Sequence, residues 1–496
     1  MWINVFLAGL SLAGAWLLPT TIIGAVLATM AAIFFCRLGT KTFYCYAAGC
    51  LAYSIAFAWL TFTIHYFGGF TTLPTFIIYL LFVFGSAFQF VIFSWCLKHA
   101  PRNIRNYTLS YPLAWLASEA CWIRIFPWSF GHSLLPITPL ALGASLGGVA
   151  LLTFVMVWLG GCIVSKHYVG ILSCTVAILA LVSFGMFYKQ ELDVLTSKVP
   201  QLSLSLVQAN VSIEERSAQR FFANNRIEYV KLSQHLSDSD LIVWPEGVIQ
   251  EWIHTGTKTV YKDSRLPRFS NNLSPNDPAW VVGTMMYDDD RNFFNSALVI
   301  EPLGTLPPPY HKQILMPFGE YIPFARYIGW IGGISERIGE LTPGKAVQVF
   351  NVQLNTKFDN KPHHVRFAPL ICYEDIIAKL SSDATQRGAS LLINLTNDAW
   401  FGRGVAATQH HQIAAFRAIE NGRILARATN SGLTAIIDAT GQTVASLPQF
   451  TANSLTESIP LLEHSTVVNK LSLINWAYYL GCIYFFGILL MRLYRK

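Results

Sequence analysis

Three side chains in this sequence stand just past apolar runs and together could carry out acyl transfer. Glu246 closes the run Leu241-Ile242-Val243-Trp244-Pro245-Glu246, where Pro245 keeps Trp244 in extended or turning backbone. Lys312 lies in Tyr310-His311-Lys312-Gln313-Ile314-Leu315-Met316-Pro317-Phe318-Gly319-Glu320, and Cys372 closes Pro369-Leu370-Ile371-Cys372. A carboxylate can take a thiol proton and later pass it to a leaving group. The thiolate can attack an acyl carbon and form a thioester. An ammonium beside them stabilises the thiolate and the developing oxyanion, an effect of about 2.7–4 kcal/mol for one such donor. The cysteine count narrows the choice. Of nine cysteines, Cys36, Cys45, Cys50, Cys96, Cys121, Cys162, Cys174 and Cys482 fall in or beside apolar runs, and Cys372 alone lies in the long stretch that is not membrane-like. It has no internal disulfide partner there, so it is either an inert buried thiol or a reactive one. Taken singly, each residue has a plainer role: a small buried hydrophobe, a helix-start carboxylate, a surface cation. Their occurrence together favours chemistry.

The elements that must position them divide into two kinds. With 53% hydrophobic and 13% charged residues, the chain carries about half the ~25% charge of a soluble domain and reads as an integral membrane protein. Apolar stretches of spanning length occur near 2–18, 19–36, 43–64, 74–97, 108–130, 136–164, 168–188 and 471–491, each close to the ~20 residues a helix needs to cross the hydrocarbon core. The opening stretch lacks a basic start and a cleavage site, and is expected to be a span, not a cleaved leader. Arg37 and Lys41, Lys98, Arg102 and Arg105, Lys166, and Arg492, Arg495 and Lys496 fall on alternate connections and the tail. The positive-inside rule then places both termini in the cytoplasm and the long polar stretch outside it. The expected organisation is a seven-helix transmembrane domain over 1–189, an external domain over 190–468, and a returning helix with a basic tail over 469–496. The net charge of +7 comes largely from the loops, and no basic run with interleaved aromatics points to nucleic acid.

In the external region the pattern changes to short apolar strands alternating with polar helices. Leu202–Val207 alternates like a strand, and a polar helical stretch runs from about Ser212 to Ser237. Further strands are expected at Leu241–Trp244, Trp280–Gly283, Ala297–Ile300, Val365–Ile371, Leu391–Asn394 and Leu433–Ile437. Continuous apolar runs of this length suit strands buried on both faces, with helices as covering layers: an α/β layered sandwich. There is no tandem repeat and no glycine-rich phosphate loop.

At the reactive residues the chain resembles the nitrilase superfamily. Trp244-Pro245-Glu246, Lys312 followed by Pro317-Phe318-Gly319-Glu320, and Cys372-Tyr373-Glu374 occur in the order of that family's Glu-Lys-Cys signature. With the apolar spans, Asn394-Leu395-Thr396-Asn397-Asp398-Ala399-Trp400-Phe401-Gly402 and Thr429-Asn430-Ser431-Gly432, nearly the whole chain is similar to the membrane-embedded branch, the bacterial apolipoprotein N-acyltransferases. The resemblance implies an αββα sandwich on the outer face of the inner membrane and a ping-pong reaction without a cofactor. Cys372 would take the sn-1 acyl chain of a phospholipid, typically phosphatidylethanolamine. It would pass that chain to the α-amino group of the S-diacylglyceryl cysteine of an apolipoprotein. Glu246 is then the general base and Lys312 the charge stabiliser. Glu320 and Glu374 match carboxylates that orient the lysine and shape the site. Tyr373, Trp400 and Trp330 are expected to contact substrate. Ile314 and Met316 stand where the family commonly has His and Val, and Gly247 follows Glu246 where a small hydroxyl residue is usual.

Four further readings bear on function. The segment between Tyr321 and Leu341 is apolar and aromatic with glycine hinges, suited to a lid at the membrane interface or to packing over the sandwich. Glu119 lies in the fifth expected span, close to Arg124, and reads as a structural contact near the outer interface. His363-His364 and His410-His411 are adjacent pairs whose side chains diverge, so no metal set is expected. Two rival functions are a membrane-tethered amidase acting on a small amide and a transporter with an external ligand-binding domain. Glu119 alone among acidic residues of the first seven spans makes a poor transport pathway.

Overall fold

The computed structural model describes residues 1–66, 68–101, 104, 108–212, 219–269, 272–317, 319–321, 341–359 and 361–494. The polar half folds into two six-stranded sheets. One contains β1 (Gln201–Gln208), β2 (Leu241–His254), β3 (Ala279–Tyr287), β4 (Phe293–Ile300), β5 (Tyr310–His311) and β12 (Asn453–Pro460), in the order β12-β1-β2-β3-β4-β5. The other contains β6 (Phe350–Asn355), β7 (Pro362–Ile371), β8 (Leu391–Thr396), β9 (Ile424–Thr429), β10 (Ala435–Ile437) and β11 (Thr443–Ser446), in the order β11-β10-β9-β8-β7-β6. Parallel pairing is confined to the centres, β1-β2-β3 and β7-β8-β9, where strands are covered on both faces. These are the strands whose sequences are continuously apolar.

Alternate residues explain the layers. Leu241 and Val243 of β2 meet Phe367, Leu391 and Ile393 in a core between the sheets. Ile242 and Trp244 point the other way, onto Tyr229 of the Phe222–Ser233 helix. Of the polar stretch expected over Ser212–Ser237, this helix covers Phe222–Ser233, and residues 213–218 lie outside the described residues. On the far side of the second sheet, Leu370, Leu392 and Leu425 pack against Ala384 and Phe416 of the helices Ala378–Gln386 and Ala406–Asn421. This third core is continuous with Trp16, Phe57 and Phe130 of the apolar helices. The αββα sandwich thus shares one helical layer with the membrane-type half.

Among the described residues, Thr72–His99, Ala144–Val164, Tyr168–Thr196 and Leu473–Leu493 are long and apolar enough to span a membrane; the pair Thr42–Ala56 and Leu60–Tyr66, bent by 60°, adds a fifth if taken as one span. Eight were expected. Trp2–Leu17 and Ile22–Leu38 are apolar but 16 and 17 residues long. The stretch expected over 108–130 is helical only across Ser110–Ala120; beyond it the chain, which includes Pro127, is irregular up to a short 3-10 turn at Phe130–Leu134, and Arg124 reaches back to Glu119 of the helix at 3.4 Å. In place of one span over 136–164, a turn at Thr138–Ala141 precedes Ala144–Val164, whose helical geometry is broken at Gly147 and Gly148. The helix expected to end near 188 continues to Thr196, held to the sandwich where Tyr188 Oη and His464 Nε2 lie 2.8 Å apart.

Candidate active site

The site forms where strands from both sheets end side by side. Glu246 follows Pro245 within β2 and is buried. Gly247, the departure from the usual hydroxyl residue, has φ +58°, the left-handed region that favours glycine. Across the ladder, a Cβ on Gly283 of β3 would lie 2.2 Å from Pro245 O and 2.6 Å from Glu246 Cα. The bare backbone of Gly283 is what lets Glu246 approach.

Lys312 follows the two-residue strand β5 and is pinned by its own backbone: its N–H donates to Asn295 O at 2.8 Å, and its carbonyl accepts from Gly344 N at 2.7 Å. The ammonium, 1% exposed, lies 2.8 Å from Glu320 Oε2 and 3.5 Å from Glu246 Oε1. Burial works against its charge. The carboxylates of Glu320 and Glu246, with Cys372, outweigh burial and hold its pKa above the ordinary lysine range. Asn295 completes the group, its Nδ2 donating to Glu246 Oε1 at 2.7 Å and Glu320 Oε1 at 2.8 Å. Sequence reasoning missed Asn295. Its only signal is an amide in the apolar strand run Phe293-Phe294-Asn295-Ser296.

Cys372 directly follows β7 and opens a 3-10 turn, Cys372–Ile376, with φ +51°. A non-glycine residue in this region is strained, and such strain collects at functional sites. The turn is held by Glu374, whose Oε2 accepts from Ile371 N at 2.7 Å and Tyr310 Oη at 2.8 Å, while its Oε1 accepts from Gln313 N at 2.6 Å. Glu374 therefore braces the cysteine turn against the lysine loop. Its own carboxyl is pushed up by burial, with those N–H donors and Lys312 opposing. Asn394 Nδ2 donates to Cys372 O at 3.1 Å from the neighbouring strand. Burial, and then the Glu246 charge, push the Cys372 thiol well above its ordinary range; Lys312 and a hydrogen bond with Thr396 pull it back. A thiol so placed keeps its proton at rest. For such a thiol to attack, a base would have to take its proton, and of the carboxylates acting on it Glu246 weighs more than Glu320.

Around this centre, Tyr373 Oη donates to Ile125 O, tying the residue after Cys372 to the loop beyond Ser110–Ala120. Trp400 lies in the turn Asp398–Phe401 and is 40% exposed. Its carbonyl accepts from Thr63 Oγ1 of the bent helix pair at 2.9 Å. Trp330, and with it the interior of the expected lid, lies outside the described residues.

A carbon-nitrogen hydrolase family model matches residues 204–464, and a model of the apolipoprotein N-acyltransferase N-terminal domain matches residues 5–162. An apolipoprotein N-acyltransferase of Vibrio cholerae is 28% identical over 85% of this chain and 83% of its own length. One of Geobacter metallireducens is 26% identical over 86% and 82%. A solved nitrilase-superfamily protein of Saccharomyces cerevisiae, 14% identical, aligns over 52% of this chain and 90% of its own with a TM-score of 0.39. The first of the two matches covers more than half of the chain and contains Glu246, Lys312 and Cys372: the chain belongs to the carbon-nitrogen hydrolase family, in the branch that carries an apolipoprotein N-acyltransferase N-terminal domain.

Proposed function

We propose that this chain is a phospholipid:apolipoprotein N-acyltransferase working by a ping-pong reaction through Cys372. The observation that carries this is a Glu246–Lys312–Cys372 centre on a sandwich that shares a covering layer with membrane-type helices. The relatives bearing that name support it. In the first half, Glu246 takes the Cys372 proton as sulfur attacks the ester carbonyl of the sn-1 chain, with phosphatidylethanolamine as the typical donor. The C–S bond forms, Lys312 stabilises the oxyanion, and the ester C–O bond breaks as Glu246 returns the proton to the lysophospholipid hydroxyl. In the second half, the α-amino group of the diacylated apolipoprotein attacks the thioester. Its proton passes to Glu246 and then to the departing sulfur, leaving an amide.

Glu320 orients Lys312, Glu374 holds the cysteine turn, and Tyr373 and Trp400 line the approach for acyl chain or acceptor. The cation distribution of the loops supports a bacterial inner-membrane protein with both termini cytoplasmic, the domain over 190–468 on the periplasmic side, and helical parts at 1–189 and 469–496.

The test is intact-protein mass spectrometry after incubation with phosphatidylethanolamine vesicles. The expected result is a fatty-acyl increment that hydroxylamine removes, that Cys372→Ala abolishes, and that a diacylated lipopeptide discharges. An adduct absent from folded protein would rule out the phospholipid donor and bring forward hydrolysis of a small amide.

A further inference from the structure

Behind the cysteine turn lies a second group of charges that the reaction above does not use. His410, on the Ala406–Asn421 helix, is buried with Nε2 2.5 Å from Asp375 Oδ1 and Nδ1 3.2 Å from Asp398 Oδ1. Asp375 belongs to the Cys372–Ile376 turn and Asp398 to the Asp398–Phe401 turn that carries Trp400. Arg427, at the centre of β9 and fully buried, donates from Nε to Asp375 Oδ2 at 3.0 Å. Both ring nitrogens of His410 face carboxylate oxygens, so only the doubly protonated ring donates to both. A neutral ring would turn a lone pair toward one of the two carboxylates.

The same helix is tied to the membrane-type half. Gln409 accepts from Trp59 Nε1 at 3.1 Å and donates to Trp16 O at 3.0 Å; Gln412 accepts from Trp128 Nε1 at 3.0 Å and donates to Pro19 O at 2.7 Å. His410 therefore projects into the catalytic half from a helix fixed on the other half. We propose that His410 is a positioning residue for acyl transfer, locking the Cys372 turn and the Trp400 turn together and to the membrane-facing helices. This rests on the acyltransferase reading for its substrate, though not for its geometry.

Electrostatics support the locked form. Burial opposes the imidazolium, but Asp375 outweighs burial and, with Asp398 and against Arg427, His410 is pushed up to about 9. Neighbouring His411 is pushed down to about 3 by burial and then Arg427, and stays neutral. Because the folded value lies above the ordinary 6.5, the lock is complete below about pH 6.5 and is lost as pH rises through about 9.

The experiment uses the full chain in phosphatidylethanolamine vesicles and compares wild type with His410→Gln from pH 6 to 10. Two rates are followed by mass spectrometry: acyl-adduct formation, and alkylation of Cys372 by iodoacetamide. The variant-to-wild-type ratio cancels the thiol's own titration. The expected ratio is a deficit of about 10–100-fold in acylation at neutral pH, with a smaller one in alkylation, both closing above pH 9 as the wild type loses its own lock. A ratio near one throughout, or a deficit that does not change with pH, would overturn the proposal. Should His410→Gln not fold, Asp398→Asn carries the test: with one carboxylate fewer, His410 loses its proton more readily, and the wild-type alkaline limb must move to lower pH. An unmoved limb would likewise overturn it. If the wild type takes no acyl chain at all, the donor assignment fails, while the alkylation ratio still decides the role of His410.

Discussion

Lys312 is almost wholly enclosed, and an enclosed ammonium persists only among groups that offset its lost hydration. Two carboxylates do this, and two carboxylates side by side would repel if nothing stood between them. Asn295 stands there, giving one amide proton to Glu246 and one to Glu320. Hydrogen bonds to charged groups contribute about 1.5–3 kcal/mol each. Asn295→Ala is therefore expected to lower the melting temperature and to slow formation of the Cys372 acyl adduct by about 10–100-fold through misplacement of Glu246. Adduct formation at the wild-type rate would mean that Asn295 is not needed to place the base. Gly283→Ala tests the same carboxylate from behind. Its new Cβ would meet backbone at Pro245, not the end of a flexible side chain. Strand β2 must then shift, and the expected loss of adduct formation exceeds that of Asn295→Ala.

At the scale of elements, the break in Ala144–Val164 shows how the two halves depend on each other. Gly148, at φ +71°, interrupts the helical geometry, and Val149 N takes a side-chain acceptor. Glu420 of the Ala406–Asn421 helix supplies one: its Oε1 accepts from Val149 N at 3.0 Å, while its Oε2 pairs with Arg417 at 2.9 Å. Both side chains of that pair are buried. Glu420→Leu removes the cap and strands Arg417, and the expected cost is about 3–5 kcal/mol, read as a fall in melting temperature in detergent. Glu420→Gln, which can still accept from Val149, should lose less. Equal melting of both variants and the wild type would show the contact to be incidental. This helix was not legible in the sequence. His410, His411, Gln412, Arg417 and Glu420 make it look like a solvated surface, yet all five are buried, because each finds a partner on another element or, for the Arg417–Glu420 pair, also within the helix. Strand β9 was hidden in the same way by Arg427, whose partner Asp375 lies 52 residues away. Strands β2, β7 and β8, by contrast, were legible because both of their faces are apolar. The residues at their ends were legible as chemistry because Glu246 and Cys372 close apolar runs and Lys312 stands beside a glutamate-bearing loop. Asn295 and the carboxylates behind Cys372 announce themselves only through distances.

For the molecule as a whole, the decisive feature is the core that does not stop at the edge of the sandwich. Phe416, Ile413 and Ile419 of Ala406–Asn421 belong to the same buried cluster as Trp16, Phe57 and Phe130 of the apolar helices. The polar bonds of Gln409, Gln412 and Glu420 cross the same boundary. Cutting the chain at residues 190 and 468 would expose that apolar face to water at about 25 cal/mol per Å². It would also leave both glutamines without the groups they bind across the boundary, and Glu420 without Val149. Soluble proteins rarely carry apolar patches beyond a few hundred Å². The fragment 190–468 is therefore expected to aggregate, or to melt well below the full chain in detergent. The measurement is the soluble, monomeric fraction of the purified fragment together with its melting temperature. A soluble monomer melting within a few degrees of the full chain would mean that the shared layer is only a docking contact. Expected instead is a fragment recovered in detergent alone, and with it the conclusion that the membrane-type helices complete the hydrophobic core on which the Cys372 turn is built.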